Sequence, residues 1–340
     1  MDLLDEALER LHRTGPEFAG GLSNHGPMAV EALVRLGHGG AIPRWVDGYL
    51  KQLDELPGTD RRITETDWRQ ALGELRRVGD WTELFTRLLA EEPWRDVLAR
   101  WWPRLTPGLA AGATHGVIRT SHAVRAIAET ETPQRRTELA HALAYWAAAY
   151  QPLPGEPRSS GQLALPEALA ALPILTVPPA PGLISTQLGD LDGLPGFPGA
   201  VRALRPPGDV PEALAELADA FTRIFLTHGR DAPVRFLHAV TAPVATASAL
   251  PYLPQSLWRP TYDALWQLGA GLYGAFAGEA RVEALPTGAP PAAEELTARA
   301  VATGEEHAIK MTEACLRLYA RTPDPLHLHA AARAVELLAP

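Results

Sequence analysis

Residues 303–319 read TGEEHAIKMTEACLRLY, and the order of apolar and charged residues in this stretch is that of an amphipathic helix. Thr303 and Glu306 have the spacing of a capping box, in which each side chain bonds a backbone amide at the helix start. At about 100° per residue, one face of the helix is apolar and holds Met311, Ala314, Cys315, Leu318 and Tyr319. The stretch therefore predicts a helix that buries one face, and His307 falls within that face.

The same periodicity dominates the rest of the chain wherever proline does not interrupt it, and alternating runs of β-branched residues are nearly absent. Several helical segments begin with proline in the first turn, where its missing N–H has no cost. We therefore predict an all-α protein. The predicted helices cover residues 3–14, 28–36, 42–53, 66–78, 81–91, 94–105, 114–130, 133–150, 165–171, 211–227, 234–249, 260–277, 294–302, 305–322 and 325–339.

Residues 151–211 interrupt this pattern, because they are rich in proline and glycine and show no regular periodicity. The segment also contains apolar residues such as Ile174, Phe197 and Val201, which a disordered tether rarely carries. We therefore predict an ordered loop that wraps a site within a single domain spanning residues 1–340. A linker between two helical halves is the alternative, and the sequence leaves it open.

The composition excludes several classes of protein. The chain has 340 residues, 31 Lys and Arg against 40 Asp and Glu, and a formal net charge of −9, so it lacks the basic stripe that nucleic-acid binding requires. Cys315 is the only cysteine, which excludes an internal disulfide and a zinc site built from several thiolates. No apolar run approaches the roughly 18 residues of a membrane span, and the charged N-terminus has no signal-peptide pattern. We predict a cytoplasmic protein that binds neither nucleic acid nor membrane, and the sequence makes no prediction of its oligomeric state.

Two short motifs resemble known functional sites but lack the required context. Residues 269–274 read GAGLYG and match the dinucleotide-binding fingerprint, but they follow a helical pattern rather than a strand, so we interpret them as helix packing through small residues. Residues around Ser23 read GLSNHG and lack the second glycine of a nucleophile elbow at the required place. The sequence therefore argues against a serine hydrolase.

The eleven histidines fall into two groups by their surroundings. Six lie among charged residues, beside glycines or near a terminus and are predicted to be surface or capping residues: His12, His38, His141, His228, His327 and His329. Five lie among apolar or small residues: His25, His115, His122, His238 and His307. His115 and His122 are seven residues apart and share a helical face, with Arg119 between them.

A buried imidazole is usually satisfied by one or two hydrogen bonds, so each of these five alone is most simply a structural residue. Five together in a helical protein indicate a metal site, because helical bundles build such sites from inward-pointing side chains and imidazole binds iron, zinc, copper and nickel. No acidic residue is expected close to His307 on its helix face. Lys310, one turn further on, either pairs with Glu306 or, when buried, is a neutral amine that CO₂ converts into an anionic carbamate ligand.

The chain resembles the questin oxidase-like proteins. The matching segments extend over most of the sequence and are Asn24–Pro27, His115–Arg119, Leu237–Val240 and His307–Lys310. The resemblance implies an all-α oxidoreductase that opens an anthraquinone ring of an aromatic polyketide with O₂. It also implies a mononuclear non-haem Fe²⁺ centre, whose ligands would be His25, His115, His238, His307 and a carboxylated Lys310.

On this interpretation Arg119 or His122 orients a substrate oxygen or acts as an acid or base, and the partners are a small aromatic substrate and O₂. NADPH is a candidate reductant, because members of the family were first described as NADPH-linked, Baeyer–Villiger-type oxidases. Such an NADPH-linked monooxygenase is one alternative to an iron-dependent oxygenase. The other alternative is a non-catalytic helical scaffold or ligand-binding protein that keeps a pocket without the metal.

Overall fold

The computed structural model of the protein describes residues 2–177 and 179–339. In this part of the chain the regular structure comprises sixteen α-helices, several 3-10 turns and one antiparallel pair of short strands, β1 (Glu17–Phe18) and β2 (Leu22–Ser23). The all-α prediction is therefore confirmed. Among the described residues, no helix combines the length and the apolar character that a membrane crossing requires.

The chain groups into two compact units. Unit 1 comprises Met1–Pro152 and Ser248–Pro254, and unit 2 comprises Leu153–Ala247 and Gln255–Pro340. The single domain over residues 1–340 stays a prediction. Each unit has its own buried apolar residues.

Unit 1 contains seven helices in its described residues. They are α1 (Leu3–Leu11), α2 (Gly26–Arg35), α3 (Ile42–Tyr49), α4 (Val78–Glu91), α5 (Trp94–Leu105), α6 (His115–Glu129) and α7 (Pro133–Ala148). Helix α6 packs against α2 and α7, and α7 also packs against α4. Trp102 of α5 and Trp146 of α7 are fully buried and meet edge to face, with ring centroids 5.1 Å apart. Aromatic pairs of this geometry contribute about 0.5–1.5 kcal/mol beyond the burial of their area.

The helix predicted over residues 66–78 is wrong. Two 3-10 turns, Trp68–Ala71 and Leu75–Arg77, occupy this stretch, and Leu72 between them has an extended backbone. Gly73 follows with a left-handed φ of 74°, which glycine adopts without the steric cost of a side chain. The Gly73 N–H donates to the carbonyl of Ala147 at 3.0 Å, so this backbone is held by α7 instead of by its own helix.

Unit 2 is built around long helices that follow a series of short ones. Its helices are α8 (Leu165–Ala170), α9 (Ile184–Leu188), α10 (Phe197–Ala203), α11 (Val210–His228), most of α12 (Pro233–Ala249), α13 (Trp258–Phe276), α14 (Ala293–Thr303), α15 (Glu306–Arg321) and α16 (Pro325–Leu338). Helix α15 packs against α14 and α16, and α11 packs against α13 and α16.

The proline-rich segment 151–211 is less irregular than the sequence predicted, because it contains the helices α8, α9 and α10. Prolines in the first turn of α8 and α10 explain how short helices form in such a sequence. Phe197 and Val201 are fully buried, as their apolar character indicated, and the carbonyl of Val201 accepts from the Trp266 indole at 2.9 Å. The segment is therefore part of the packed core of unit 2.

The motif GAGLYG lies inside α13, so the helix-packing interpretation is confirmed. A Cβ added at Gly269 would fall on the ring of Phe221 in α11, far inside contact distance. A Cβ added at Gly271 would lie 2.9 Å from a methyl carbon of Leu153. These glycines allow α13 to approach its neighbours closely.

Candidate metal-binding residues

His115 is presented by a strained turn at the start of α6. The three preceding residues have left-handed backbones, with φ of 54° at Gly112, 53° at Ala113 and 81° at Thr114. Left-handed backbone at a residue with a side chain costs about 1–3 kcal/mol and persists only where the surroundings enforce it. Here a Cβ added at Gly112 would collide with the Tyr145 hydroxyl, so no side chain fits at this position. The turn therefore fixes where the His115 ring lies.

Unit 1 brings His115 and His25 together. His25 precedes the first turn of α2, its backbone N–H donates to the Tyr49 hydroxyl at 2.8 Å, and both imidazoles are buried. The two rings meet edge to face with centroids 4.5 Å apart, and each offers a nitrogen within 4.8 Å of the other. The Nδ1 of His115 donates to the carbonyl of Gly112, which fixes the tautomer whose lone pair is on Nε2.

Arg119 is held in a buried ion pair on the side of α6 that faces α7. Its Nε and Nη2 donate to the two carboxylate oxygens of Glu138 at 2.7 and 2.9 Å, and both side chains are only 4% exposed. His12 adds a third contact, with Nε2 at 3.0 Å from Glu138. Burial raises the pKa of Glu138, but the charge and hydrogen bonds of Arg119 outweigh it and lower this pKa to about 2. The guanidinium thus joins α6 to α7, and its catalytic role stays a prediction.

His122 lies about 10 Å further along α6 than His115, where it contacts Glu31 of α2. Its Nδ1 is 2.8 Å from Oε2 of Glu31, and Oε1 of the same carboxylate accepts from Nε of Arg125 at 2.8 Å and from Nε of Arg35 at 2.9 Å. Burial opposes ionisation of Glu31, but the charge of Arg125 and the hydrogen bond to His122 hold the pKa of Glu31 far below the usual range. This cluster fixes α2 against α6, the helices that carry His25 and His115.

The start of α15 differs from the predicted capping box. Thr303 ends α14, and Gly304 after it has a left-handed φ of 68°. Glu305 is the N-cap residue of α15, and its side chain accepts from the N–H of Ala308 at 2.6 Å. The prediction that Thr303 and Glu306 form the cap is wrong because a glycine turn separates the two helices and moves the start by two residues.

Unit 2 places carboxylates beside His307. The Nδ1 of His307 is 2.7 Å from a carboxylate oxygen of Glu305, and Glu305, Glu306 and His307 each offer a ligand atom within 4.8 Å of the others. We expected no acidic residue close to His307 on its helix face, and the acidic partner instead comes from the N-cap position, before the helix begins. A helical projection that begins at Thr303 places Glu305 about 200° from His307, so this contact was not predicted. The His238 ring lies edge to face with the His307 ring, with centroids 5.7 Å apart.

Lys310 is 2% exposed. Burial lowers the pKa of its amine to about 8, although the negative charges of Glu306 and Glu305 act in the opposite direction. The neutral amine is therefore much more abundant near neutral pH than for an ordinary lysine. Pairing with Glu306 and carboxylation by CO₂ both stay predictions.

Three histidines that were predicted to be surface or capping residues are instead part of polar networks within their units, and His12, which contacts Glu138, is one of them. His327 of α16 is 1% exposed, and its Nε2 is 2.7 Å from Asp219 of α11. His141 stacks near His12 with ring centroids 4.9 Å apart, and burial lowers the pKa of His141 to about 3. Charged neighbours in sequence suggested exposure, but the partners of these residues come from distant positions in the chain.

Comparison with protein-family models gives no match, and comparison with curated proteins gives none. The functional interpretation therefore depends on the quoted motifs and on the geometry of the two histidine pairs, one in each unit.

Proposed function

We propose that this chain is a non-haem iron-dependent oxygenase acting with O₂ on an aromatic polyketide or quinone-type substrate. Its iron ligands are His25 and His115 of unit 1 with His238, His307 and Lys310 of unit 2. The assignment of all five to a single iron rests on the motif resemblance, whereas the metal-binding character of each pair is supported by its own geometry.

The hydrogen bonds at Nδ1 of His115 and His307 are the observation that carries the metal assignment. His115 bonds the carbonyl of Gly112, and His307 bonds the carboxylate of Glu305. Metal-binding histidines typically donate one ring N–H to a carbonyl or carboxylate, which orients the ring and makes the other nitrogen a better ligand. Both histidines have this arrangement, and each has a second imidazole beside it.

Charge balance gives Lys310 and its acidic neighbours a role. Neutral imidazoles leave a divalent iron with a +2 charge in buried surroundings, which is costly without an anion. Addition of CO₂ to the neutral amine of Lys310 forms a C–N bond, releases one proton and leaves an anionic carbamate. The lowered pKa of Lys310 supports this step, because only the neutral amine reacts. Glu305 and Glu306 supply further negative charge beside His307.

The contacts of Arg119 and His122 favour a positioning role. Arg119 joins α6 to α7 through Glu138, and His122 joins α6 to α2 through Glu31. On this proposal the two networks keep His115 and His25 in register, iron supplies the site at which O₂ is activated, and the substrate is bound and oriented by other side chains.

O₂ uptake tests the proposed reaction. Protein loaded with Fe²⁺ without oxygen should consume O₂ when a hydroxylated anthraquinone is added, and His307→Ala should abolish this uptake. His329→Ala, on α16, is the matched control and should retain it. Uptake that requires NADPH but not iron would identify the Baeyer–Villiger-type alternative, and no uptake with any quinone would favour the non-catalytic binding protein.

A further inference from the structure

Unit 2 contains a second candidate site, a cavity of about 290 Å³ near the start of α11. The cavity is bounded by the residues before α8, the segment that leads into α11, the first two turns of α11 and one residue of α13. Its polar lining consists of Arg205, Asp209, Glu212, Glu216 and Tyr262. None of these residues belongs to the proposed iron site, so the cavity raises a separate question.

The carboxylates of the lining outnumber its basic residues by three to one, since Arg205 is the one basic residue among them. Glu212 and Glu216 are one turn apart on α11, and like charges at this spacing destabilise a helix. Among the described residues no Lys, Arg or His forms an ion pair with Glu212, Glu216 or Asp209. Asp209 additionally caps α11, with one oxygen accepting from the N–H of Glu212 at 2.8 Å. A cationic ligand would relieve the repulsion between the carboxylates.

Tyr262 is the second feature that points to a ligand. Its side chain lines the cavity although the residue is only 3% exposed, and its hydroxyl makes no hydrogen bond with any residue in the described part of the chain. Because the residue lines the cavity, a ligand there could use the hydrogen-bonding capacity of this hydroxyl. Burial, with the negative charges of Asp263 and Glu216, raises the pKa of Tyr262 to about 12, so the phenol stays protonated and uncharged. Its oxygen can accept a hydrogen bond from an ammonium group.

The charge and shape of the lining define the ligand class. Three carboxylates and one guanidinium leave a net charge of −2. The remaining walls are largely apolar and include Leu163, Leu165, Leu204, Pro206 and Pro207. A hydrated metal ion would gain nothing from such walls, whereas a methylene chain would pack on them.

We propose that this cavity binds a small aliphatic diamine. One ammonium group contacts Glu212, Glu216 and the Tyr262 oxygen, the methylene chain packs on the apolar walls, and the second ammonium group lies near Asp209. This site is independent of the proposed oxygenase function, since no residue is shared.

Isothermal titration calorimetry of the full chain with 1,4-diaminobutane tests the proposal. Saturable binding at one site is expected, and raised salt should weaken it because the carboxylates are exposed. The double variant Glu212→Gln/Glu216→Gln should bind about tenfold more weakly. Tyr262→Phe keeps the ring, and loss of the hydroxyl should weaken binding about fivefold. The matched control Asp231→Asn/Glu336→Gln removes two exposed carboxylates elsewhere in unit 2 and should bind like the unaltered protein.

Several results would overturn the proposal. One is a titration of the unaltered protein that shows no saturable heat of diamine binding. Another is a diamine affinity that falls equally in the double variant and in its control. A third is an affinity for 1-aminobutane as high as that for the diamine. Saturable binding of Mg²⁺ that depends on Glu212 and Glu216, without diamine binding, would identify a metal site instead. Circular dichroism checks that each variant is folded, and the Glu212 and Glu216 variants decide the question even if Tyr262→Phe is unstable, because both glutamates are exposed.

Discussion

Replacing Glu138 with Gln removes one charge from the most deeply buried ion pair on α6. Arg119 and Glu138 form two parallel hydrogen bonds at 2.7 and 2.9 Å with both side chains 4% exposed. In Glu138→Gln the guanidinium remains buried without its counter-charge, and breaking a buried pair in this way costs about 3–5 kcal/mol. A glutamine still accepts one hydrogen bond, so we expect about 3 kcal/mol.

The pKa of Glu138 leads to a similar magnitude and to a pH dependence. The carboxyl has its ordinary pKa of 4.5 when unfolded and a pKa of about 2 when folded, a difference that corresponds to about 3 kcal/mol of folding free energy. Because the folded pKa is the lower one, this stability is present above pH 4.5 and is lost as the pH falls towards 2. Glu138→Gln should therefore be less stable at pH 7, and the difference from the unaltered protein should shrink across that window.

Urea and thermal unfolding monitored by tryptophan fluorescence measure this effect, because most tryptophans lie in unit 1. A loss of about 3 kcal/mol should lower the Tm of unit 1 by about 10 °C. Glu74→Gln is the matched control, since Glu74 pairs with Arg76 at the surface, and it should change stability by less than about 1 kcal/mol. If both variants are equally stable, Glu138 does not balance Arg119, and the guanidinium becomes available for the predicted catalytic role.

Three further predictions concern the candidate site and α13. Lys310→Arg should lose bound iron and Lys310→Glu should retain part of it, because only glutamate restores an anion at this position. Elemental analysis measures the iron, and full iron content in Lys310→Arg would exclude the carbamate. Glu305→Gln should weaken iron binding about 10–100-fold while His307 remains, and an unchanged Kd in a competition assay with a chelator would refute this orienting role. Gly269→Val should destabilise the protein by about 1–3 kcal/mol in urea unfolding because its side chain meets Phe221. We expect no NADPH binding at this motif, and a saturable NADPH fluorescence signal that Gly271→Val removes while the fold is retained would contradict the packing interpretation.

The sequence predicted features that depend on local periodicity. The helical pattern predicted both ends of α15 and of α6 to within two residues. Apolar neighbours in the sequence correctly indicated that four histidines are buried: His25, His115, His238 and His307. The short strands β1 and β2 were not predicted, since segments of two residues carry no periodic pattern.

Partners that come from distant positions could not be predicted from one sequence. Glu138 is 19 residues from Arg119, and Glu31 is 91 residues from His122. Both carboxylates contact residues that looked available for catalysis. The role of Glu305 as N-cap residue was missed for a different reason. It depends on the left-handed Gly304 that follows α14, whereas the sequence also matches a capping box that would start the helix at Thr303.

Iron content per chain tests the central proposal most directly. Protein purified without a histidine tag and loaded with Fe²⁺ in the absence of oxygen should contain about one iron per chain, and His115→Ala and His307→Ala should each remove nearly all of it because both serve the same ion. His329→Ala should retain about one iron per chain. Full iron content in both His115→Ala and His307→Ala, or no bound iron in the unaltered protein, would contradict the account.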